Sequence, residues 1–277
     1  MRFIKMHGIG NDYVYVDCFQ ETVKDPPTLA VRMSDRHFGA GADGLILIMP
    51  STKADVRMRM FNADGSEGEM CGNGIRCLAK YVYETGIARQ PALTVETLAG
   101  ILRLQLFTAN GRVEKVRVNM GMPRLRRQDI PMLGADERVL GEKLMAGDRE
   151  FVVTCLSMGN PHCVAYIDDV AHFAVTHYGP LLEHHPQFPQ RTNVEWVEWI
   201  NRREIRQRTW ERGSGETMAC GTGACAATVA SVLNGKTDRA VTVHLLGGDL
   251  EIEWAEDDHV YMTGPAVEVF RGEWPDR

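Results

Sequence analysis

The sequence contains no long apolar run. Stretches such as Gly44–Pro50 fall far short of the roughly 20 residues a bilayer-crossing helix needs, which sets aside a helical membrane protein. Positive charge is also not in excess. Lys and Arg number 31 against 37 Asp and Glu, and the net −6 has the wrong sign for a nucleic-acid partner. The one basic cluster, Arg124–Arg127, reads as a solvated turn. The seven cysteines are an odd number in a long chain, with no Cys-x-x-Cys, so reduced thiols are expected rather than a disulfide framework. Met1-Arg-Phe-Ile-Lys-Met-His reaches charge before the apolar core of a signal peptide can form, and a cytoplasmic protein is expected. Cys71 and Cys77 are spaced more widely than zinc ligands, no His-x3–5-His pair lies within a zinc-finger distance after them, and no metal is expected. No lysine lies in a recognisable pyridoxal-phosphate setting, and no G-x-G-x-x-G opens a helix after a strand, so no organic cofactor is expected. What remains is 44% apolar and 25% charged, the balance of a soluble globular chain, and 277 residues suit two domains.

An internal duplication is present. Cys71-Gly-Asn-Gly74 and Cys220-Gly-Thr-Gly223 lie 149 residues apart, and the same offset carries Asn11 onto Asn160. It also carries Arg57 and Arg59 onto Arg206 and Arg208, Phe61-Asn62 onto Trp210-Glu211, and Asp43-Gly-Leu45 onto Thr192-Asn-Val194. Leu98-Ala-Gly100 and Leu246-Gly-Gly248 correspond with one residue deleted. Arg57–Phe61 and Arg206–Trp210 alternate as half-buried strands do. After each C-G-x-G comes a helix. The first has Ile75, Leu78, Ala79 and Val82 on one face and Gly86 as its C-cap; the second is apolar nearly all round, as a buried helix is. Leu93–Glu96, Ile101–Phe107, Val113–Asn119, Thr242–Leu245, Leu250–Trp254 and Val260–Met262 read as short strands. The expected fold is α+β, with two pseudo-symmetric halves, each many strands around one central helix. The first half is expected over residues 1–120 and the second over 121–263, with the tail 264–277 packing on the first half.

Each C-G-x-G places a cysteine at the head of a helix, where unpaired N–H groups and the helix dipole stabilise an anion. A thiol so placed can become more acidic, and the glycines let a ligand approach the backbone. Two such thiols facing one another across a cleft between the halves suit moving a proton from one face of an α-carbon to the other. His162, after Gly-Asn-Pro, reads equally as a proton relay or as an ordinary surface or core histidine. Glu211 stands where the first half has Asn62; functional asymmetry and an unremarkable strand end are both open readings. Asn11, Asn62, Asn160 and Asn193 lie beside glycine or at strand ends, where turn formation is the alternative. Cys18, Cys77, Cys155, Cys163 and Cys225 read as ordinary buried thiols, with Cys18, Cys155 and Cys163 in apolar strands.

Met6-His-Gly-Ile-Gly-Asn-Asp12, Phe61-Asn-Ala-Asp-Gly-Ser-Glu67, Cys71-Gly-Asn-Gly-Ile-Arg-Cys77, Ser157-Met-Gly-Asn-Pro-His162, Glu211-Arg-Gly-Ser-Gly-Glu-Thr217 and Ala219-Cys-Gly-Thr-Gly-Ala-Cys225 together resemble the diaminopimelate epimerase family, in order, from Met1 to about Gly264. The resemblance implies a pyridoxal-phosphate-independent cytoplasmic enzyme of lysine and peptidoglycan synthesis, usually a homodimer, with two barrel-like halves. It implies Cys71 and Cys220 as the paired acid and base, and His162 and Glu211 as residues setting their protonation. Asn11, Asn62, Asn160, Asn193, Glu211 and Arg212 are implied as substrate contacts. The backbone at Gly72-Asn73 and Gly221-Thr222 is implied as the grip on the reacting carboxylate. Gly44 departs from the pattern, since some members carry a substrate-contacting Gln there. Competing readings are a proline racemase-like or other amino-acid isomerase on the same fold, or a non-catalytic amino-acid-binding module.

Overall fold

The computed structural model describes residues 1–135 and 137–275, so the last two residues of the expected tail lie outside the described residues. The chain divides into two units. One is Met1–Asn119 with the tail from Thr263; the other is Met120–Met262.

In the first unit β1 (Arg2–Gly8) and β2 (Asn11–Asp17) form a hairpin, and α1 (Pro26–Ser34) crosses to β3 (Gly44–Met49), which pairs parallel with β2. Then come β4 (Val56–Asn62), β5 (Glu67–Gly68), α2 (Gly72–Thr85), β6 (Ala92–Thr97), β7 (Gly100–Ala109) and β8 (Arg112–Asn119). β3 pairs antiparallel with β4, and α2 is the crossover that brings β6 parallel to β4. The second unit begins with β9 (Val139–Ala146) and then repeats this order. β10 (Arg149–Ser157) and β11 (Pro161–Tyr166) form the hairpin, and α3 (Val175–Glu183) crosses to the parallel β12 (Asn193–Asn201). β13 (Glu204–Glu211), β14 (Gly215–Thr217), α4 (Gly221–Leu233), β15 (Ala240–Leu245), β16 (Gly248–Trp254) and β17 (Val260–Pro265) follow. β13 and β15 are parallel across α4, as β4 and β6 are across α2. β9 pairs antiparallel with β10; in the first unit the corresponding place beside β1 is taken by the tail strand β18 (Val267–Glu273).

The two faces of each sheet have separate tasks. Val14, Val16, Leu45 and Leu47 point to the α1 side and join Ala30 and Met33 in one apolar cluster. In the second unit Cys163, Ala165, Val194 and Trp196 do the same with Val175 and Leu182 of α3. The alternate residues face the other helix, α2 or α4. α2 starts at Cys71 and stops at Gly86, whose φ of +82° suits a residue without a Cβ. α4 is buried along most of its length, as its nearly all-apolar sequence requires.

Some expectations are corrected. Arg127 does not lie in a solvated turn: it is buried, donates to the Leu133 carbonyl at 2.7 Å and pairs with Glu142. The short 3₁₀ turn Arg127–Asp129 brings the guanidinium inward, where acceptors compensate its lost hydration. Cys18 lies one residue beyond β2 rather than in a strand and is half-buried, with its thiol pushed up to about 11 by burial. The six short strands are each present with ends moved by up to three residues, and α1 and α3 are additional helices. α1 is started by Asp25, which accepts from Thr28 N–H at 3.3 Å, followed by two prolines.

Candidate active site

In the first unit the hairpin between β1 and β2 turns on Ile9 and Gly10, with φ of +48° and +88°. Two successive positive φ values fit a tight hairpin turn, and for β-branched Ile9 that conformation is strained. The turn delivers Asn11 to Cys71, whose Sγ lies 3.3 Å from Asn11 Oδ1. Cys71 caps α2 through its side chain, accepting from Gly74 N–H at 3.3 Å. The other end of the Asn11 amide donates to Asp43 at 2.7 Å, and Arg36 bridges Asp43 and Asp12 at 2.8 and 2.9 Å. Burial raises Asp43, and the neighbouring Asp12 adds to this. Burial acts the same way on Asp12, but Arg36 and Lys5 outweigh it and hold Asp12 below its ordinary value.

Gly72 and Asn73 form the buried first turn of α2. The Asn73 side-chain oxygen accepts from the wholly buried Arg76 at 2.9 Å. Asn62, at the end of β4, donates to Ser66 Oγ at 2.9 Å within its own turn. Gly44 pairs with Asn62 across β3 and β4, and a Cβ there would lie 2.1 Å from the Phe61 carbonyl. The backbone at Gly44 therefore excludes a side chain unless the strands part.

The second unit builds a different wall around the same backbone device. Cys220 caps α4, accepting from Gly223 N–H at 3.4 Å, and is buried. Its thiol is pushed well above its ordinary value, first by burial and then by the charges of Glu211 and Glu195. Glu211 is itself raised by loss of hydration, against which hydrogen bonds from Thr217 and Cys220 act. Thr217 Oγ1 donates to it at 2.6 Å. His162 is wholly buried, with Nδ1 at 2.8 Å from Glu195 and Nε2 at 3.0 Å from Asn160 Oδ1. Asn160 donates onward to Thr222 Oγ1 at 3.3 Å, which is 3.6 Å from Cys220 Sγ. Asn193 spans two segments, donating to the Pro161 carbonyl at 2.8 Å and accepting from Arg212 N–H at 2.9 Å. The exposed Arg212 side chain reaches the Gln190 carbonyl at 3.1 Å. Gly221 is buried in the first turn of α4.

Cys220, His162, Asn160, Thr222 and Glu211 thus form one cluster, with Asn193 and Arg212 beside it. Cys71 and Asn11 form the other; Asn62 bonds Ser66 within its own turn. Glu195, Tyr13 and Arg76 were not singled out in the sequence. Tyr13 is pushed well up by burial and by the neighbouring Cys71. For Glu195 a signal existed: the period of two in β12 sets it on the same face as Asn193. All seven cysteines are free thiols. Among the described residues no group of three His, Cys, Asp or Glu is placed to hold a metal ion, and no helix is long and apolar enough to cross a membrane.

Residues 3–126 and 154–269 match the family model described as diaminopimelate epimerase. A diaminopimelate epimerase of Pelotomaculum thermopropionicum is 59% identical over 279 residues, covering 100% of both chains. One of Moorella thermoacetica is 60% identical over 99% of both, and one of Methanococcus maripaludis 53% identical over 99% of both. Among solved structures, a phenazine biosynthesis protein of the PhzF family from Bacillus anthracis superposes with a TM-score of 0.73 at 17% identity, covering 100% of this chain and 99% of that one. A probable proline racemase from Agrobacterium radiobacter gives 0.73 at 17%, covering 99% and 92%. These two likenesses concern the fold.

Proposed function

The chain belongs to the diaminopimelate epimerase family, and we propose that it is an isomerase interconverting LL- and meso-2,6-diaminopimelate with two thiols and no organic cofactor. The observation that carries the mechanism is the repeated cap: Cys71 and Cys220 each head a buried helix, and each accepts the N–H of the glycine three residues on. In this reading the thiolate of one cysteine takes the α-proton and the thiol of the other delivers a proton to the opposite face; the C–H bond broken and the C–H bond formed share one carbon. Reversal exchanges the roles. In the resting chain Cys220 keeps its proton, because burial and two nearby carboxylates oppose its ionisation. Cys71 is then the base that starts one direction.

The reacting carboxylate takes the N–H groups at Gly72-Asn73 and Gly221-Thr222, where helix dipoles meet the charge that develops as the proton leaves. Asn11, Asn62, Asn160, Asn193 and Arg212 read the rest of the substrate, including its distal amino-acid end. Glu211 both contacts substrate and, with His162, governs the proton at Cys220. The working form is a cytoplasmic homodimer serving lysine and peptidoglycan synthesis.

Proton NMR of LL-diaminopimelate in D2O tests this. Deuterium is expected at one α-carbon together with the meso isomer, and Cys71→Ala and Cys220→Ala should each lower the rate by about a thousandfold or more. Wild-type protein with reduced thiols that neither exchanges nor epimerises this substrate overturns the assignment and directs the same assay to proline-type substrates.

A further inference from the structure

Glu195 has no equivalent in the other half. It lies in β12 between Val164 of β11 and Thr209 of β13, is wholly removed from water, and uses one oxygen on His162 Nδ1. Its second oxygen has no hydrogen-bond partner among the described residues. A buried carboxylate left partly unsatisfied is costly, and the fold does not require one at this place. The duplication puts Ile46 at the same position, and Tyr13 where the second half has His162. Even the packing corresponds. A Cβ on Gly74 would meet Ile46 Cδ1 at 2.5 Å, and a Cβ on Gly223 would meet Glu195 Oε1 at 2.7 Å. An apolar side chain fills this space in one half; in the other a carboxyl group does.

We infer that Glu195 is a positioning residue for proton transfer at Cys220, holding His162 by Nδ1 so that Nε2 orders the Asn160–Thr222 pair against the thiol. This rests on the two-thiol reading above. The contacts run without a break from Glu195 to His162 (2.8 Å), Asn160 (3.0 Å), Thr222 (3.3 Å) and Cys220 (3.6 Å). Both ring nitrogens face oxygens, so both contacts are hydrogen bonds only when His162 carries a proton on each, the form that a carboxylate at Nδ1 favours; Nε2–H then donates to Asn160 Oδ1, and turning the Asn160 amide over would exchange acceptor for donor toward both His162 and Thr222. Glu211 of β13 is the other carboxylate acting on Cys220, so Glu195 works on the thiol from the sheet and Glu211 from the strand end.

The test is Glu195→Gln in the full chain, which keeps the shape and an oxygen for Nδ1–H but removes the charge. In both directions kcat should fall on the order of tenfold to a hundredfold, with KM held within about twofold. Without substrate, iodoacetamide labelling of Cys220 should rise several-fold relative to Cys71 in the same sample, since an anion opposing thiolate formation is gone. Glu195→Asp keeps the charge but withdraws it from Nδ1; it should lower kcat while leaving the labelling ratio close to wild type. A Gln variant with kcat within about twofold of wild type overturns the inference, as does lost activity with an unchanged labelling ratio, which would make Glu195 a packing residue. If the Gln variant does not fold, the Asp variant decides: kcat lowered at constant KM supports the inference, and unchanged kcat overturns it. Failure of the wild type to turn over diaminopimelate would remove the two-thiol reading, while the labelling ratio would still judge the hold of Glu195 on Cys220.

Discussion

Behind the first helix N-terminus stand Tyr13 and Ile46, with Met58 and Met60 on the neighbouring strand; 149 residues on, the equivalent positions behind the second hold His162, Glu195, Gln207 and Thr209. The backbone is repeated element by element, and the thiol is capped the same way in both. The first wall has one phenol, Tyr13, among apolar side chains; the second sets an imidazole and a carboxylate at the positions of Tyr13 and Ile46. Cys71 is half-buried and reached by a neutral amide; Cys220 is buried among carboxylates that oppose its ionisation. A proton moved across one carbon needs a base on one side and an acid on the other. A duplicated fold starts with two identical groups, and unequal walls are a physical way to separate their protonation states.

Among changes that leave both cysteines in place, the largest effect should come from the glycines that touch those walls. Gly223→Ala drives a methyl into Glu195 Oε1 and to 3.2 Å from Cys220 Sγ, and kcat should drop on the order of a hundredfold through misplacement of the thiol. Gly74→Ala meets Ile46 instead and stays 3.6 Å from Cys71 Sγ. Overpacking of roughly 1–3 kcal/mol, set against about 1 kcal/mol gained in helix propensity, should appear mainly as a lower melting temperature. Equal kcat losses in the two variants would break the contrast between the halves.

Glu211→Gln makes the second half resemble the first, where Asn62 holds the position. Removing an anion beside Cys220 lets the thiol ionise more readily, so the alkaline limb of the rate profile should move to lower pH. Stability carries its own sign. The folded-state value of Glu211 is raised above 4.5, so its contribution is intact below that pH and is lost as pH rises through the folded value. The variant lacks this loss and should gain stability relative to wild type in melts compared between about pH 4 and about pH 8. An unmoved alkaline limb would show that Glu211 does not set the thiol.

The smallest change expected is from Thr222→Val. The hydroxyl joins Asn160 to Cys220, whereas its counterpart Asn73 accepts from Arg76. Loss of one such link is worth roughly 1 kcal/mol, a few-fold in kcat, without the melting change that removing a partner of buried Arg76 would bring. A loss as large as that of Gly223→Ala would mean that the hydroxyl takes part in the transfer itself.

Much of this was legible along the chain, because the signals are local. Cysteine followed by glycines at a helix start, the periodicity of α2, the apolar surround of α4 and the 149-residue offset each lie within a short window or a simple repeat. The second half-site was only partly legible. His162 and Glu211 stood out, but Glu195 lay in an apolar stretch between Val194 and Trp196 and gave no motif. A run of basic residues such as Arg124–Arg127 usually stays in water, and Glu142, which accepts from Arg127, comes 15 residues later on β9.

Two copies of one unit, each with a cysteine at the head of a buried helix, can be read along the chain, since capping and periodicity act over a few residues. Tertiary structure decided which groups surround each thiol. His162 meets Glu195, 33 residues away, only because α3 crosses the sheet and brings β12 parallel to β11, with one face turned to α4. Gly44 is closed to a side chain only because β4 lays the Phe61 carbonyl against it. Burial and charge from distant strands follow from pairing register, so the difference between two near-identical motifs appears only when the strands are in place.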